Sequence, residues 1–558
     1  MTLIKLLTYA AYDAVMPESK VKKNELKFRI SLFFDGTLNN RENIAEREKA
    51  EMSVETDNEE EKEQAKSYTN NGKGDANSYD NGRTNIAIME PCVRKKQNGY
   101  KEFIKVYVEG QGSTKFKSDD LQGYAGGSGD SGVVNRAAIG VQEALQKLEK
   151  ILDKKYPPEE NKIVKIDIDV FGFSRGAATA RHAISLIMEW FGVDNGEDIN
   201  TPVYKKVRYM GYREMEAKTV EVKFAGVYDT VVSVNGSQIN YWSDKIRNQR
   251  AVALATKSLH LAAAEEHRLD FPLHTIKSAL DKGKGEQYYL PGVHSDVGGS
   301  YNQANDLANV GDTVRIVLAS GSHDDMLAEQ IKRSPDYPPG ALVVDVIEKG
   351  RRRVAGSLAS AEVALKSKLV ELRKINDDQD KNMRSSSEKK SINVDFVNIL
   401  ELDKKRLIDQ GWYKPHEIKI ESFAGVGRLV VNRKNIKSAY SNIPLKIMAD
   451  YAVKNGLTIE TKLKAKADLI LKKHSDLLEL EKSITKYISK VGASNSKPDD
   501  WLENAHDNHE SSQYPIGNIR HDHLHMSCQS NDHVLYKAGY TPRFSFPSLK
   551  RRRYYYEG

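Results

Sequence analysis

The sequence predicts an α/β protein with a mostly parallel central sheet flanked by helices, and three observations carry that prediction. Short apolar runs of strand length recur through the first 300 residues, each followed by a helix-like or Gly-rich stretch. That alternation builds parallel sheets with helices on both faces. One run, "IVKIDIDVFGFS", passes directly into the helix pattern "RGAATARHAISLIMEWFG", small at first and apolar later. Finally, 39% hydrophobic residues in a 558-residue chain are enough for a sizeable core, while the 29% charged residues belong on solvated helices and loops.

Taken in order, "LKFRISLFFDGTLNN" (26–40) begins as an alternating strand, with Leu26, Phe28, Ile30, Leu32 and Phe34 on one face, and ends at a turn over Asp35-Gly36-Thr37. Residues 41–82 are charged, then rich in Asn and Gly, and read as a flexible surface insertion. Within it Asp75, Asn77 and Asp80 hint at a calcium loop, but Tyr79 occupies a ligand position and breaks the pattern. "FIKVYVEGQG" (103–112) is a second strand. "GYAGGSGDSG" (123–132) is a glycine-rich loop before the helix "VVNRAAIGVQEALQKLEKIL". A phosphate loop needs Lys and Ser or Thr at the helix start, and Val133, Val134 and Asn135 stand there instead.

The third strand runs into Ser174. Its Lys165, Asp167 and Asp169 share one face, although a central parallel strand is ordinarily apolar on both faces. Either those residues lie at the exposed start of the strand or polar partners cover them. "VEVKFAGVYDTV" (220–231) and "EQYYLPGVHSDVGGS" (286–300) supply a fourth and a fifth strand. These pieces make residues 1–300 a core. Residues 301–395, rich in Lys, Glu, Asp and Ser, read as a mainly helical insertion, and 396–558 as a C-terminal part packing on the core, with a charged helix near 458–492.

Composition excludes several classes. The net charge of +7 comes from 85 basic and 78 acidic residues, nearly balanced, which is no nucleic-acid footprint. The end "LKRRRYYYEG" reads as a solvated tail. Two cysteines, Cys92 and Cys528, build neither a disulfide framework nor a thiolate zinc site. No apolar run approaches the roughly 20 residues of a membrane span. "MTLIKLLTYAAYDAV" is interrupted early by Tyr and Asp and reads as a plain N-terminal helix rather than a signal peptide.

The chemistry centres on "GFSRG" (172–176). A G-x-S-x-G pattern is weak evidence alone, but here it sits between a strand and a helix, the setting of a nucleophile elbow. The serine of such an elbow adopts unusual backbone angles, and side chains on either side would collide with the adjoining elements. A plain helix cap needs no glycine on both sides. Ser174 is therefore the candidate nucleophile, with the Arg175 N–H as one oxyanion donor. In the α/β-hydrolase order, an acid and then a histidine follow at strand ends. Asp229, after "KFAGVY", fits the acid; His294, after "YYLPGV", fits the base. Gly36 and Thr37 are candidates for the rest of the oxyanion hole. Asp35 reads as the holder of its own loop, and Asp296 as a turn or supporting group. A competing constellation, "RHDHLHMS", would place His521, His523 and His525 on one face of a strand and could hold zinc. Otherwise no cofactor is expected.

At "FFDGT", "GFSRGAA", "GVYDTV" and "PGVHSDVGG" the sequence resembles the first family of type VI secretion lipase effectors, bacterial phospholipases of the α/β-hydrolase fold. The four motifs stand in order across residues 26–300; "LAAAEEHRLDF", near the family's acidic-Arg helix, and "IPLKIM" (443–448) are also similar. The resemblance implies Ser174 as nucleophile, Asp229 as acid and His294 as base, and a phospholipase A type activity on glycerophospholipids. It further implies an antibacterial toxin made in the bacterial cytoplasm, delivered into a rival's periplasm, and countered by an immunity protein. No spike domain is appended in the sequence, so delivery would need a spike or carrier partner. Tyr228 stands where the family often has Phe. Two other readings stay open: a hydrolase-fold binding or adaptor protein, and a metal-dependent hydrolase using the C-terminal histidines.

Overall fold

The computed structural model describes residues 25–53, 77–120, 123, 129–156, 162–190, 220–232, 248–266, 271–301, 312–317, 343–345, 404–405, 407–423, 426–433, 435–491, 516–525, 543–545 and 555–557. The N-terminal stretch, Asp75 and most of 302–395 lie outside these residues.

Six parallel strands form the central sheet. They are β1 (Glu25–Phe34), β2 (Glu102–Val108), β3 (Lys162–Phe173), β4 (Val220–Tyr228), β5 (Lys257–Ala263) and, after a three-residue β6 (Leu273–Thr275), β7 (Gly285–Leu290). The order across the sheet is β2-β1-β3-β4-β5-β7, every neighbour being parallel. The fold is α/β. The sequence reading omitted β5. Its "SLHLAA" runs into "LAAAEEHRLDF", the first residues of which are strand through Ala263. The run is apolar and short, and at that length periodicity does not separate strand from helix.

One face of the sheet is covered by two long helices. Crossovers between parallel strands place helices there. Leu26, Phe28, Ile30, Leu32 and Phe34 meet Ala137, Val141, Ala144, Leu145 and Leu148 across this layer. The helix carrying those residues spans Val133–Lys155, and a second, Arg175–Trp190, lies beside it. The second helix opens with Gly and Ala, which let it press against the strands, and it is buried from Arg175 to Met188. Inside it Arg181 is wholly buried and donates to the carbonyls of Gln249, His274 and Thr275 at 2.9–3.0 Å, tying the helix to the chain around β6.

The other face is covered from far along the sequence. Phe33, Phe171, Phe224, Leu259, Leu261 and Tyr288 pack with Trp412, Tyr440, Ile443, Leu445, Met448 and Ala449. The helices in chain order are α1 (Arg41–Ser53), α2 (Asn85–Met89), α3 (Val133–Lys155), α4 (Arg175–Trp190), α5 (Lys277–Asp281), α6 (His294–Gly298), α7 (Asn442–Lys454), α8 (Thr461–Leu471), α9 (Ser475–Val491) and α10 (Ile516–His523). The predicted helix over 458–492 is thus two helices, broken by the turn at Lys472–His474. The turn lets Leu471 and then Leu477, Leu480 and Ile484 reach the same core.

The polar face of β3 has its explanation here. Asp169 takes a two-pronged hydrogen bond from Arg29 at 2.8 Å on each prong, plus the Ser31 hydroxyl at 2.8 Å. Arg29 also donates to the carbonyls of Asn455 and Gly456 at the end of α7. Asp167 accepts from Tyr100 and pairs with Lys165 at 3.2 Å. A buried ion pair is costly unless its remaining donors are satisfied, and the α7 terminus satisfies them. The face is covered by polar partners, and only Lys165 reaches the surface.

Three more readings are corrected. Residues 41–53 form a helix and 77–82 are built into the fold: Tyr79 is fully buried, and Asn43 donates to Ser78 Oγ at 2.9 Å. Asn77 caps its own turn, accepting from the N–H groups of Tyr79 and Asp80. Only 54–76 of the supposed insertion lie outside the described residues. Within 302–395 the described pieces are strands, not helices: β8 (Asp312–Val317) and β9 (Val343–Asp345) join β10 (Ile418–Phe423), β11 (Val426–Arg433) and β12 (Arg543–Ser545) in a sheet ordered β10-β11-β8-β9-β12. Its ladders are antiparallel. Part of the predicted solvated tail, β13 (Tyr555–Glu557), pairs in parallel with β6.

Candidate active site

The C-terminal ends of the strands carry the candidate groups, the edge where open parallel sheets place their ligands. Backbone bonds continue the ladder past each strand: Asp35 N–H to the Val108 carbonyl at 2.9 Å, Ser174 N–H to Tyr228 at 3.1 Å, Asp229 N–H to Leu261 at 2.8 Å. Asp35, Ser174 and Asp229 therefore stand in adjacent positions along one rim.

Ser174 occupies the turn between β3 and α4 with φ of +59°, a left-handed conformation that costs a non-Gly residue about 1–2 kcal/mol. The flanking glycines are steric necessities. A Cβ on Gly172 would lie 2.4 Å from the Gly176 carbonyl oxygen, and one on Gly176 would lie 2.2 Å from the Asp35 carbonyl oxygen. The turn is thus wedged between β1 and its own helix, which holds the serine in place against its backbone preference.

Asp229 also has positive φ, +37°, and is fully buried. Its Oδ1 accepts the Ala263 N–H at 2.7 Å and its Oδ2 stands 2.6 Å from His294 Nδ1. His294 opens α6, and Glu266 accepts its backbone N–H at 3.1 Å. The imidazole lies against Phe173, the residue before Ser174, with ring centroids 4.5 Å apart, and Phe271 meets it edge-on at 4.9 Å. The glycines after His294 make this approach possible: a Cβ on Gly298 would fall 2.0 Å from the Phe173 ring. Behind the acid, the Thr230 N–H is 3.1 Å from His260 Nε2, and His260 Nδ1 is 2.9 Å from Gln287 Oε1.

The loop after β1 comes over the elbow, where Arg175 Nε donates to Thr37 Oγ1 at 2.7 Å. The Gly36 N–H, expected as an oxyanion donor, donates instead to Asp35 Oδ1 at 2.8 Å. A carboxylate beside its own following N–H captures it locally. Asp35 also accepts the Thr84 hydroxyl and the Tyr107 hydroxyl, each at 2.6 Å, and Thr84 in turn caps α2. Complete burial pushes the Asp35 carboxyl up from 3.8 to about 6, against these bonds, which lower it.

A stability prediction follows from that direction. Because the folded chain holds this proton more tightly than the unfolded one, the stabilisation is fully present below about pH 4 and is lost as pH rises through about 6. The change is on the order of 3 kcal/mol. In denaturant unfolding, wild type should lose that amount relative to Asp35→Asn between pH 4 and 6.5. A pH-independent difference between the two proteins would refute it.

Asp296 is buried and accepts the Val293 N–H at 3.0 Å, the His525 N–H at 3.0 Å and His525 Nδ1 at 2.7 Å. Burial raises its carboxyl, with His525 opposing. It fastens the turn before His294 to the C-terminal segment. Glu265 does the same, accepting from Gly292 N–H at 2.9 Å and pairing with the buried Arg520 at 2.6 Å. Sequence reading missed Glu265, Glu266, Phe271 and His525 in these roles. Only "EEH" after an apolar strand gave a local signal, and the partners of Glu265 and Asp296, Arg520 in α10 and His525 just past it, lie more than 200 residues away.

The predicted three-histidine strand is not present. Residues 516–523 are helical, and the imidazoles turn to separate carboxylates: His521 to Glu417 and Asp522, His523 to Asp476, His525 to Asp296. A helical turn carries alternate residues to different sides.

A model of a protein family described as the type VI secretion phospholipase effector Tle1-like catalytic domain matches residues 29–319. No curated protein matches. Among solved structures, the Tle1 effector bound to the VgrG spike of the type 6 secretion system is 19% identical, with 96% of this chain and 94% of that chain covered and a TM-score of 0.47. An uncharacterized protein from Pseudomonas aeruginosa is 15% identical, with 87% of this chain and 66% of that one covered and a TM-score of 0.31. At such values neither carries chemistry over to this chain.

Proposed function

The chain belongs to the Tle1-like phospholipase effectors of the type VI secretion system, and from that premise we propose that it is a serine esterase of phospholipase A type with Ser174, Asp229 and His294 as its triad. The observation that carries this is the 2.6 Å contact between buried Asp229 Oδ2 and His294 Nδ1 beside a serine held at positive φ. With Nδ1–H donating to Asp229, Nε2 is left as the acceptor that a general base needs. His294 Nε2 takes the Ser174 proton as Oγ attacks the acyl carbonyl of a glycerophospholipid, and the carboxylate stabilises the imidazolium. The imidazolium then protonates the departing glycerol oxygen, and water hydrolyses the acyl-enzyme by the same route. The N–H groups of Arg175, at the start of α4, and of Thr37, tied to Arg175 through its side chain, serve as oxyanion donors. Gly36 is left out because Asp35 occupies its N–H.

Family membership also motivates the wider proposal: loading on a spike or carrier protein, delivery to the periplasm of a rival cell, and a cognate immunity protein. Among the described residues no helix is long and apolar enough to cross a membrane.

The test uses the full-length wild-type chain. It should release fatty acid and lysophospholipid from phosphatidylethanolamine or phosphatidylglycerol vesicles, and a fluorophosphonate probe should modify the peptide containing Ser174. A chain that neither turns over lipid nor reacts with the probe would instead be a hydrolase-fold binding protein.

A further inference from the structure

Away from the sheet rim, two imidazoles and a carboxylate converge from three places in the sequence. His474 lies in the turn between α8 and α9, Asp476 in the first turn of α9, and His523 at the end of α10. One potential ligand atom from each lies within 4.8 Å of the other two. His523 Nε2 is 2.8 Å from Asp476 Oδ2, and the His474 and His523 rings meet nearly perpendicular with centroids 5.0 Å apart. The His523 side chain is fully buried, while that of Asp476 is 31% exposed. The cluster therefore has a dry wall and an open side.

We propose that His474, Asp476 and His523 form a zinc site. Imidazole nitrogen and carboxylate oxygen are ordinary zinc ligands at about 2.0–2.2 Å, so two of them on one tetrahedral ion stand about 3.3 Å apart. The His523–Asp476 pair is already close to that separation, and the His474 ligand atom, within 4.8 Å of both, closes to it to complete a three-ligand set. A water on the exposed side supplies the fourth position. Of the three histidines in "RHDHLHMS", this site uses only His523; His521 and His525 belong to other carboxylates.

The ion would join α10 to the α8–α9 turn. That helix carries Arg520, which pairs with Glu265, and leads to His525, which pairs with Asp296. Both acids hold the backbone just before His294. Zinc would thus steady the segment that buttresses the candidate base, without touching the reacting atoms. This inference is independent of the esterase reading.

The experiment is zinc titration of the chelator-treated full-length chain by calorimetry, with metal content measured after gel filtration. Wild type should bind one zinc per chain and show a higher Tm when zinc is added. His474→Ala, in the turn, and Asp476→Asn should each weaken binding by at least about 100-fold, while His521→Ala should bind like wild type. Folding of each variant is checked by circular dichroism, so that the half-buried His474 carries the test if changes at His523 disturb packing. Absence of saturable zinc binding by the folded wild-type chain, or wild-type affinity in folded His474→Ala and Asp476→Asn, would overturn the proposal and leave Asp476–His523 as a simple hydrogen bond.

Discussion

Ser174→Ala should abolish fatty-acid release from phospholipid vesicles, lowering kcat by about 10⁴- to 10⁶-fold, while leaving the fold intact. In the proposed mechanism the hydroxyl oxygen forms the bond to the acyl carbon, so its removal would leave only oxyanion donors and binding. Stability should move little, since Ser and Ala pay a similar penalty at φ +59°. Ser174→Gly makes the sharper comparison. It should be equally inactive but more stable than Ser174→Ala by about 1 kcal/mol, because glycine adopts that conformation without strain. The paired result, activity lost in both and stability gained in one, separates a strained nucleophile from an ordinary helix-capping hydroxyl. Lipid turnover by either variant within tenfold of wild type would exclude Ser174 as the nucleophile.

Asp229→Asn should lower kcat/KM by about 10⁴-fold with the structure retained. The introduced amide oxygen can still accept the Ala263 N–H, now bonded at 2.7 Å, so the turn keeps its support. The amide nitrogen would face His294 Nδ1 and donate to it. That reverses the hydrogen bond, moves the ring proton to Nε2, and leaves no acceptor toward the serine. Asp229→Ala should add a stability cost of about 1–3 kcal/mol, because the buried Ala263 N–H loses its partner. The comparison of kcat/KM with denaturant unfolding for the two variants distinguishes orientation from folding. Near wild-type kcat/KM in Asp229→Asn would remove this residue from the mechanism.

Much of the central sheet was legible because its strands are short apolar runs with a period of two. β5 escaped because a seven-residue apolar strand followed by "EEH" has the composition of a helix start. The strands β8 and β9 escaped because they are isolated pieces in a highly charged region, and their outer partners, β11 beside β8 and β12 beside β9, lie far along the chain. The helix over 516–523 was misread as a strand because alternating histidines imitate strand periodicity. Its actual orientation is imposed by tertiary partners, including Arg433, which donates to the carbonyls of Arg520 and Leu524 at 2.7 Å each.

By itself the sequence determined an α/β core, the elbow around Ser174 and the order of Asp229 and His294 after it. Those are local matters: hydrophobic period, glycine at sterically closed positions, and residues that end strands. Tertiary structure alone decided that Asp35 takes the Gly36 N–H, that Asp169 is neutralised by Arg29 with help from the end of α7, and that Glu265 and Asp296 bind α10 and the His525 that follows it to the turn before His294. It also decided that His523 faces His474 and Asp476 rather than its neighbouring histidines. Each of these depends on burial and on which distant donor arrives, and burial is a property of the packed chain that no stretch of sequence carries alone.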